Sequence, residues 1–139
     1  MIDYVYKTNY TIVKETEYTE WFKRVIDSEA KHLSELCFVL TNDEEVLEIN
    51  QEYLGHNYYT DIITFNYNKG KEILGDIFIS LDRVKENAIE YNVDFEQELK
   101  RVMVHGILHL LGYNDETEEE KSKMRKLENL KMEMFHVEQ

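Results

Sequence analysis

His105-Gly106-Ile107-Leu108-His109-Leu110-Leu111-Gly112-Tyr113-Asn114-Asp115 organises the whole chain around it. From Val102 to Leu111 nearly every residue is apolar except two histidines, four positions apart. At ~100° per residue they lie ~40° apart around a helix and about one turn apart along it, so they share a face. Two imidazoles in a segment too apolar for a solvated helix need a common partner, because burying polar groups unpaired is costly. A divalent metal is the partner that wants two neutral nitrogens at this separation. Gly112 is suited to end the helix in a left-handed turn, which doubles the chain back and presents Asp115 as a third ligand. Together these residues read as a metal site of His105, His109 and Asp115 on a buried helix, with Glu116 or Glu118 as alternative third ligands.

A lone histidine on an apolar helix reads as a core residue bonded to a backbone carbonyl. A pair at helical spacing, followed by a glycine stop and a carboxylate, fits that explanation poorly. The spacing is close to H-E-x-x-H-x-x-G-x-x-H of metzincin-type zinc proteases, with two substitutions. Gly106 stands where those enzymes place a glutamate general base, and Asp115 stands where they place a third histidine. Without the glutamate, peptide hydrolysis lacks its usual proton acceptor.

At 139 residues the chain suits one domain, 1–139, long enough to bury roughly two-thirds of its unfolded surface. Its single cysteine, Cys37, sits in an apolar run and reads as a small core hydrophobe rather than a nucleophile. The start, Met1-Ile2-Asp3-Tyr4, has neither a basic head nor an apolar run, and no segment approaches the ~18 apolar residues needed to cross a bilayer. A soluble, reducing, cytoplasmic setting without a membrane is therefore expected. The formal net charge of −13 argues against a general nucleic-acid binder, whose footprint is usually basic. Three local pairs could still line a basic groove: Lys69 with Lys71, Arg83 with Lys85, and Lys100 with Arg101. Each also reads as ordinary solvated surface.

Periodicity predicts an edge strand at Ile2–Tyr6, a helix over Thr19–His32 and a short strand at Cys37–Leu40. Thr41-Asn42-Asp43-Glu44 resembles an N-cap with acidic first-turn residues, opening a helix that runs to about Tyr53. Asp61–Asn66 and Leu74–Leu81 read as a hairpin, and a helix follows from Leu81 to the break at Asn92-Val93-Asp94. Asp94 is placed to cap the metal helix. The tail, Thr117 to Phe135, reads as a last amphipathic helix with Met124, Leu127, Leu130 and Met134 as its apolar stripe. The fold class is α+β: a small mixed or antiparallel sheet packed with about five helices, the metal helix central and most buried.

Read with what lies upstream, the metal motif resembles the YbeY family of bacterial rRNA-maturation endoribonucleases. The family's H-G-x-L-H-L-x-G-Y-D-H is matched by His105, Gly106, Leu108, His109, Leu110, Gly112 and Tyr113. Its N-x-x-Y-R-G…P-T-D-V-L-S-F is echoed by Asn50, Tyr53, Gly55, Thr60, Asp61, Ile62, Ile63, Thr64 and Phe65. Its L-G-D-I-x-I-S is matched by Leu74, Gly75, Asp76, Ile77, Ile79 and Ser80. Three motifs in order, over roughly Asn50 to Glu120, make the resemblance specific. It implies a metal-dependent, single-strand-specific endoribonuclease that processes the 3′ end of 16S rRNA, works in ribosome quality control, contacts the small ribosomal subunit and its proteins, and usually holds one zinc. The chain departs from the family at four places. The final D-H is Asn114-Asp115, the arginine after the tyrosine is Leu54, the following lysine is His56, and the proline before Thr60 is Tyr59. Losing the arginine removes a bidentate phosphate clamp, which Lys69 or Lys71 would have to replace.

In the mechanism this implies, the metal lowers the pKa of a bound water toward ~7 and polarises a phosphoryl oxygen. His105 and His109 bind as neutral imidazoles, each with its other ring nitrogen fixed by an acceptor. Asp76 is a candidate for that acceptor, or else a turn-capping carboxylate. Thr60 and Asp61 read as shaping the strand entrance. His32, His56 and His136 read as surface residues, with His56 alone near substrate. The rivals are a metalloprotease-like hydrolase, a non-haem iron protein built on a two-histidine-one-carboxylate triad, and a non-catalytic ribosome-assembly factor with a structural metal.

Overall fold

Alternating apolar strands make the floor on which the helices pack. The computed structural model describes residues 1–136, and its sheet contains β1 (Ile2–Tyr6), β2 (His32–Thr41), β3 (Ile62–Asn66) and β4 (Glu72–Ser80) in the order β1-β2-β4-β3. β1, β2 and β4 run parallel, whereas β3 pairs antiparallel with β4 as the expected hairpin. Parallel neighbours need long crossovers. The chain supplies them as α1 (Glu15–Ser28) between β1 and β2, and α2 (Asp43–Leu54) with β3 between β2 and β4. Three further helices complete the α+β arrangement: α3 (Leu81–Tyr91), α4 (Phe95–Leu110) and α5 (Glu118–Glu133), with a short 3-10 turn at Met134–His136.

Ile73, Ile77 and Ile79 of β4 all face one side and are fully buried, in one cluster with Trp21, Phe22 and Ile26 of α1 and Leu99, Met103 and Ile107 of α4. Phe22 stacks on Phe38 of β2 with ring centroids 5.0 Å apart. Burying side chains of this size contributes about 1.5–3 kcal/mol each. α4 is the most deeply packed helix, as its apolar sequence predicts. The approach is close at Gly106, where a Cβ would lie 2.8 Å from Ile62 Cδ1 and 3.1 Å from Ile77 Cγ2. The position that carries a glutamate in zinc proteases is therefore closed against the sheet.

Several boundaries differ from the periodic reading. α1 starts four residues earlier than Thr19 and ends at Ser28, because Ala30 turns left-handed (φ 59°) and releases the chain into β2. Leu33 and His32 thus belong to β2, a strand of 10 residues rather than the Cys37–Leu40 core alone. Asp94 stands at the N-cap of α4, but its side chain makes no capping hydrogen bond. α5 begins with a full capping box between Thr117 and Glu120. Its buried face holds Met124, Glu128 and Lys131, while Leu130 is 57% exposed. Of the apolar stripe read from the sequence, Met124 is buried and Leu127 and Met134 are half-buried, whereas Leu130 turns outward and Glu128 and Lys131 point inward.

Candidate metal centre

The C-terminal turn of α4 sets the geometry. Gly112 adopts φ 104°, its N–H donates to His109 O (3.0 Å), and Tyr113 N–H donates to Leu108 O (3.0 Å). This is the Schellman pattern, and it folds the chain back over the last turn. Asp115 thereby arrives beside the two histidines. His105 Nε2 and His109 Nε2 lie 3.0 Å apart, and Asp115 offers one oxygen 3.3 Å from the first and the other 3.6 Å from the second. The three residues form a group whose ligand atoms all lie within 4.8 Å of one another and could hold a metal ion. Ligands ~2.1 Å from a zinc ion at tetrahedral angles stand ~3.4 Å apart, which the observed spacings bracket. Glu116 and Glu118 are exposed, and Glu118 leans toward Lys121 instead.

Both remaining ring nitrogens are already occupied. His105 Nδ1–H donates to Glu128 Oε2 at 2.6 Å, and His109 Nδ1–H donates to the Tyr113 carbonyl at 2.9 Å. Each ring then turns an Nε2 lone pair toward the other, which is repulsive unless positive charge lies between them. A second proton on one ring or a divalent cation relieves it, and the Asp115 carboxylate on the third side favours the higher charge. The electrostatics agree. Burial pulls the His105 pKa down, but the Glu128 hydrogen bond and charge, with Asp115 and Asp61 beyond, outweigh it and leave the ring raised. Burial and the His105 charge hold His109 below its usual value. Burial would raise Glu128, yet the hydrogen bonds from His105 and Arg101 keep it lowered.

The acceptor behind His105 is thus Glu128 of α5, not Asp76. Asp76 alternates with the isoleucines of β4 onto the far side of the sheet, where Tyr67 donates a hydroxyl to it at 3.3 Å. Cys37 shares that side and is only half-buried rather than a core residue; burial and the charges of Asp76 and Asp3 push its thiol up. The support behind His109 also reaches α5. The Tyr113 hydroxyl donates to Glu29 Oε1 (2.6 Å), and Lys131 Nζ donates to Glu29 Oε2 (2.9 Å). Sequence reasoning missed Glu29, Glu128 and Lys131. The only available signal was that Glu128 and Lys131 fall at helical spacing from Met124.

Two cavities flank the centre. One of about 390 Å³ is lined by Asp61, Asn87, Arg101, His105, Asp115 and Arg125. Asp61 shapes the strand entrance by accepting Ser80 N–H (2.9 Å), yet its carboxylate also faces this cavity, where burial raises its pKa. The other, of about 250 Å³, joins His109 to the α2–β3 loop and includes His56. Of the basic pairs, Arg83 is engaged by Asp43 (3.1 Å) and Arg101 by Glu128 (3.0 Å), while Lys69, Lys71 and Lys85 are exposed. Lys100 and Arg101 lie within α4. His32 is exposed, and the side chain of His136 lies outside the described residues. Among the described residues no helix is long and apolar enough to cross a membrane.

Fold and centre together define a small α+β protein with a two-histidine, one-carboxylate site able to hold a metal ion. The chain matches the family model described as endoribonuclease YbeY over residues 3–136. It is 48% identical to the endoribonuclease YbeY of Flavobacterium johnsoniae over 139 residues, covering all of both chains. It is 47% identical to that of Flavobacterium psychrophilum, covering 100% of this chain and 99% of the relative. The solution structure of TM1509 from Thermotoga maritima superposes with a TM-score of 0.71 at 29% identity, covering 97% of this chain and 89% of that one. The chain belongs to the endoribonuclease YbeY family and is a hydrolase of the nuclease class.

Proposed function

We propose that residues 1–139 act as one metal-dependent endoribonuclease domain that cuts single-stranded RNA. Its place is in the cytoplasm, maturing the 3′ end of 16S rRNA in contact with the small ribosomal subunit and in ribosome quality control. His105, His109 and Asp115 are its metal ligands. One observation carries this reading: three donor atoms converge while both Nδ1 atoms are tied elsewhere, so the two Nε2 atoms are left facing a common point.

When bound, the ion supplies Lewis acidity toward a phosphoryl oxygen and acidifies water. The chain supplies the rest. Glu128 and the Tyr113 carbonyl select the tautomer that leaves each Nε2 free to ligate, and they fix the ring planes. Asp115 lowers the net charge of the centre by one relative to three histidines, which suits zinc and also harder ions such as manganese or iron. Gly106 removes the protease general base and lets α4 sit close on β3 and β4. Asp61, with its raised pKa, is placed in the cavity beside His105 to hold or accept a proton at its carboxylate.

The test is the metal content and the cleavage of single-stranded rRNA fragments by wild type and His109→Ala. The variant should lose its metal and its cleavage while keeping a native far-ultraviolet circular dichroism spectrum. Full cleavage by metal-free His109→Ala would overturn the mechanism.

A further inference from the structure

The cavity on the β3 side of the centre has no part in the chemistry above, yet its walls are built with care. α2 ends at Gly55, whose left-handed turn (φ 69°) lets His56 N–H reach back to Asn50 O at 3.1 Å. The buried Asn50 side chain then donates to the Tyr58 carbonyl at 2.9 Å. The loop is pinned on both sides of its aromatic segment. The His56 and Tyr58 rings lie face to face, centroids 5.1 Å apart and 19° from parallel, with Tyr58 Oη 2.9 Å from His56 Nδ1. Tyr58 remains 56% exposed, and both rings line the cavity that ends at His109. An ordered, exposed ring pair beside a reaction centre is a stacking platform.

The opposite wall is β3, an edge strand of the sheet. Ser80 N–H bonds to Asp61 O and Tyr67 N–H bonds to Leu74 O, which fixes the odd-numbered residues as the hydrogen-bonded partners of β4. Thr64 therefore turns its N–H and C=O outward along the free edge, and it lines the same cavity. One donor and one acceptor, side by side on a rigid strand, match the edge of an unpaired base.

We propose that this cavity is a nucleobase subsite: an unpaired base next to the phosphate at the metal centre stacks on Tyr58 and His56 and presents its Watson–Crick edge to the Thr64 backbone. The inference rests on the endoribonuclease reading and extends it to substrate selection. A base in a duplex has that edge occupied and cannot enter, so the subsite itself selects single strands. Stacking needs no protein charge, which suits a chain of net charge −13 whose Arg83 and Arg101 are already paired. Leu54, in place of the arginine the family motif carries, adds apolar wall rather than a phosphate clamp.

The probe is a set of short single-stranded RNAs with one 2-aminopurine walked along the sequence, bound to the full chain loaded with zinc. One position should be strongly quenched on binding, and annealing a complementary strand should remove the quench. The double variant His56→Ala/Tyr58→Ala should abolish the quench and lower kcat/KM by ~5–100-fold with unchanged metal content. Tyr58→Phe, which keeps the ring, should retain both. Equal quenching or equal kcat/KM in wild type and the double variant overturns the subsite, even if wild type cuts RNA normally. A position-specific quench lost in the double variant, in a protein that cuts no RNA, instead sinks the nuclease reading and leaves the base site standing. Absence of both overturns both.

Discussion

Helices α4 and α5 build the centre together, yet α4 buries mostly apolar residues and α5 mostly charged ones. α4 hides Leu99, Met103, Val104, Ile107 and Leu108 completely and brings its two histidines to one end of an apolar face. α5 hides one methionine, Met124, beside Glu128 and Lys131. The two charged residues serve one histidine each: Glu128 accepts from His105 directly, and Lys131 acts on His109 through Glu29 and Tyr113. α4 supplies donors and desolvation, and α5 supplies the charge that desolvated donors need. Buried ion pairs of this kind are weak evidence for stability. Their value here is orientation: Trp21 Nε1–H to Lys131 O (2.7 Å) and Arg24 to Met134 O (2.9 Å) lock α5 in the rotation that aims Glu128 inward.

The sharpest way to break this division of labour is Glu128→Gln. Gln keeps the volume but removes the charge that favours a ligating His105, and outer partners of this type typically contribute 10–100-fold in metal affinity. The expected result is a loss of that order in zinc affinity by chelator competition, with cleavage falling in parallel. An unchanged affinity would reduce α5 to a scaffold.

A smaller effect tests the longer connection. Burial would raise the Glu29 carboxyl, but the Tyr113 hydroxyl and the Lys131 ammonium hold it below its usual range. A depressed folded-state pKa contributes stability above the unfolded value of ~4.3, and that stability is lost as pH falls through it toward the folded value. Glu29→Gln should therefore cost about 1 kcal/mol at neutral pH. In urea titrations the gap from wild type should close as the buffer is taken below pH ~4. A gap that stays constant with pH would mean that Glu29 holds Tyr113 by shape rather than by charge.

The same contrast explains what was legible in the sequence. On α4 the histidines stand out because everything near them is apolar, and Gly112 with Asp115 completes a pattern that can be read without a structure. On α5 the Glu128 that accepts from His105 is one glutamate in a helix that also carries Glu118, Glu119, Glu120 and Glu133, so nothing local marks it. Asp76 shows a different failure. Its parity is opposite to that of Ile73, Ile77 and Ile79, so once α4 is placed on the isoleucine side the alternation itself carries Asp76 to the other. The end of α1 turns on a left-handed alanine, Ala30, where the usual glycine signal is missing. Gly106 is legible only in half: its identity shows the missing protease base, while the packing reason for it, Ile62 and Ile77 pressed against the helix, requires the sheet.

The smallest expected effect discriminates most finely between the two pictures of α5. A purely apolar stripe of Met124, Leu127, Leu130 and Met134 would make Leu130 a core residue. The structure instead turns Leu130 outward at 57% exposure and places Lys131 inward, its ammonium bonded to Ser28 Oγ and Glu29 Oε2, both at 2.9 Å. Rotating the helix to bury Leu130 would carry Glu128 off the His105 ring and break the Trp21 bond to Lys131 O. Leu130→Ala should therefore shift stability by no more than about 0.5 kcal/mol, the range for surface positions. Metal affinity should not change at all. A loss of about 2 kcal/mol or more in urea unfolding, the size seen on emptying a core leucine site, would show α5 turned to its apolar stripe. The charged support of both histidines would then have to be sought on another element.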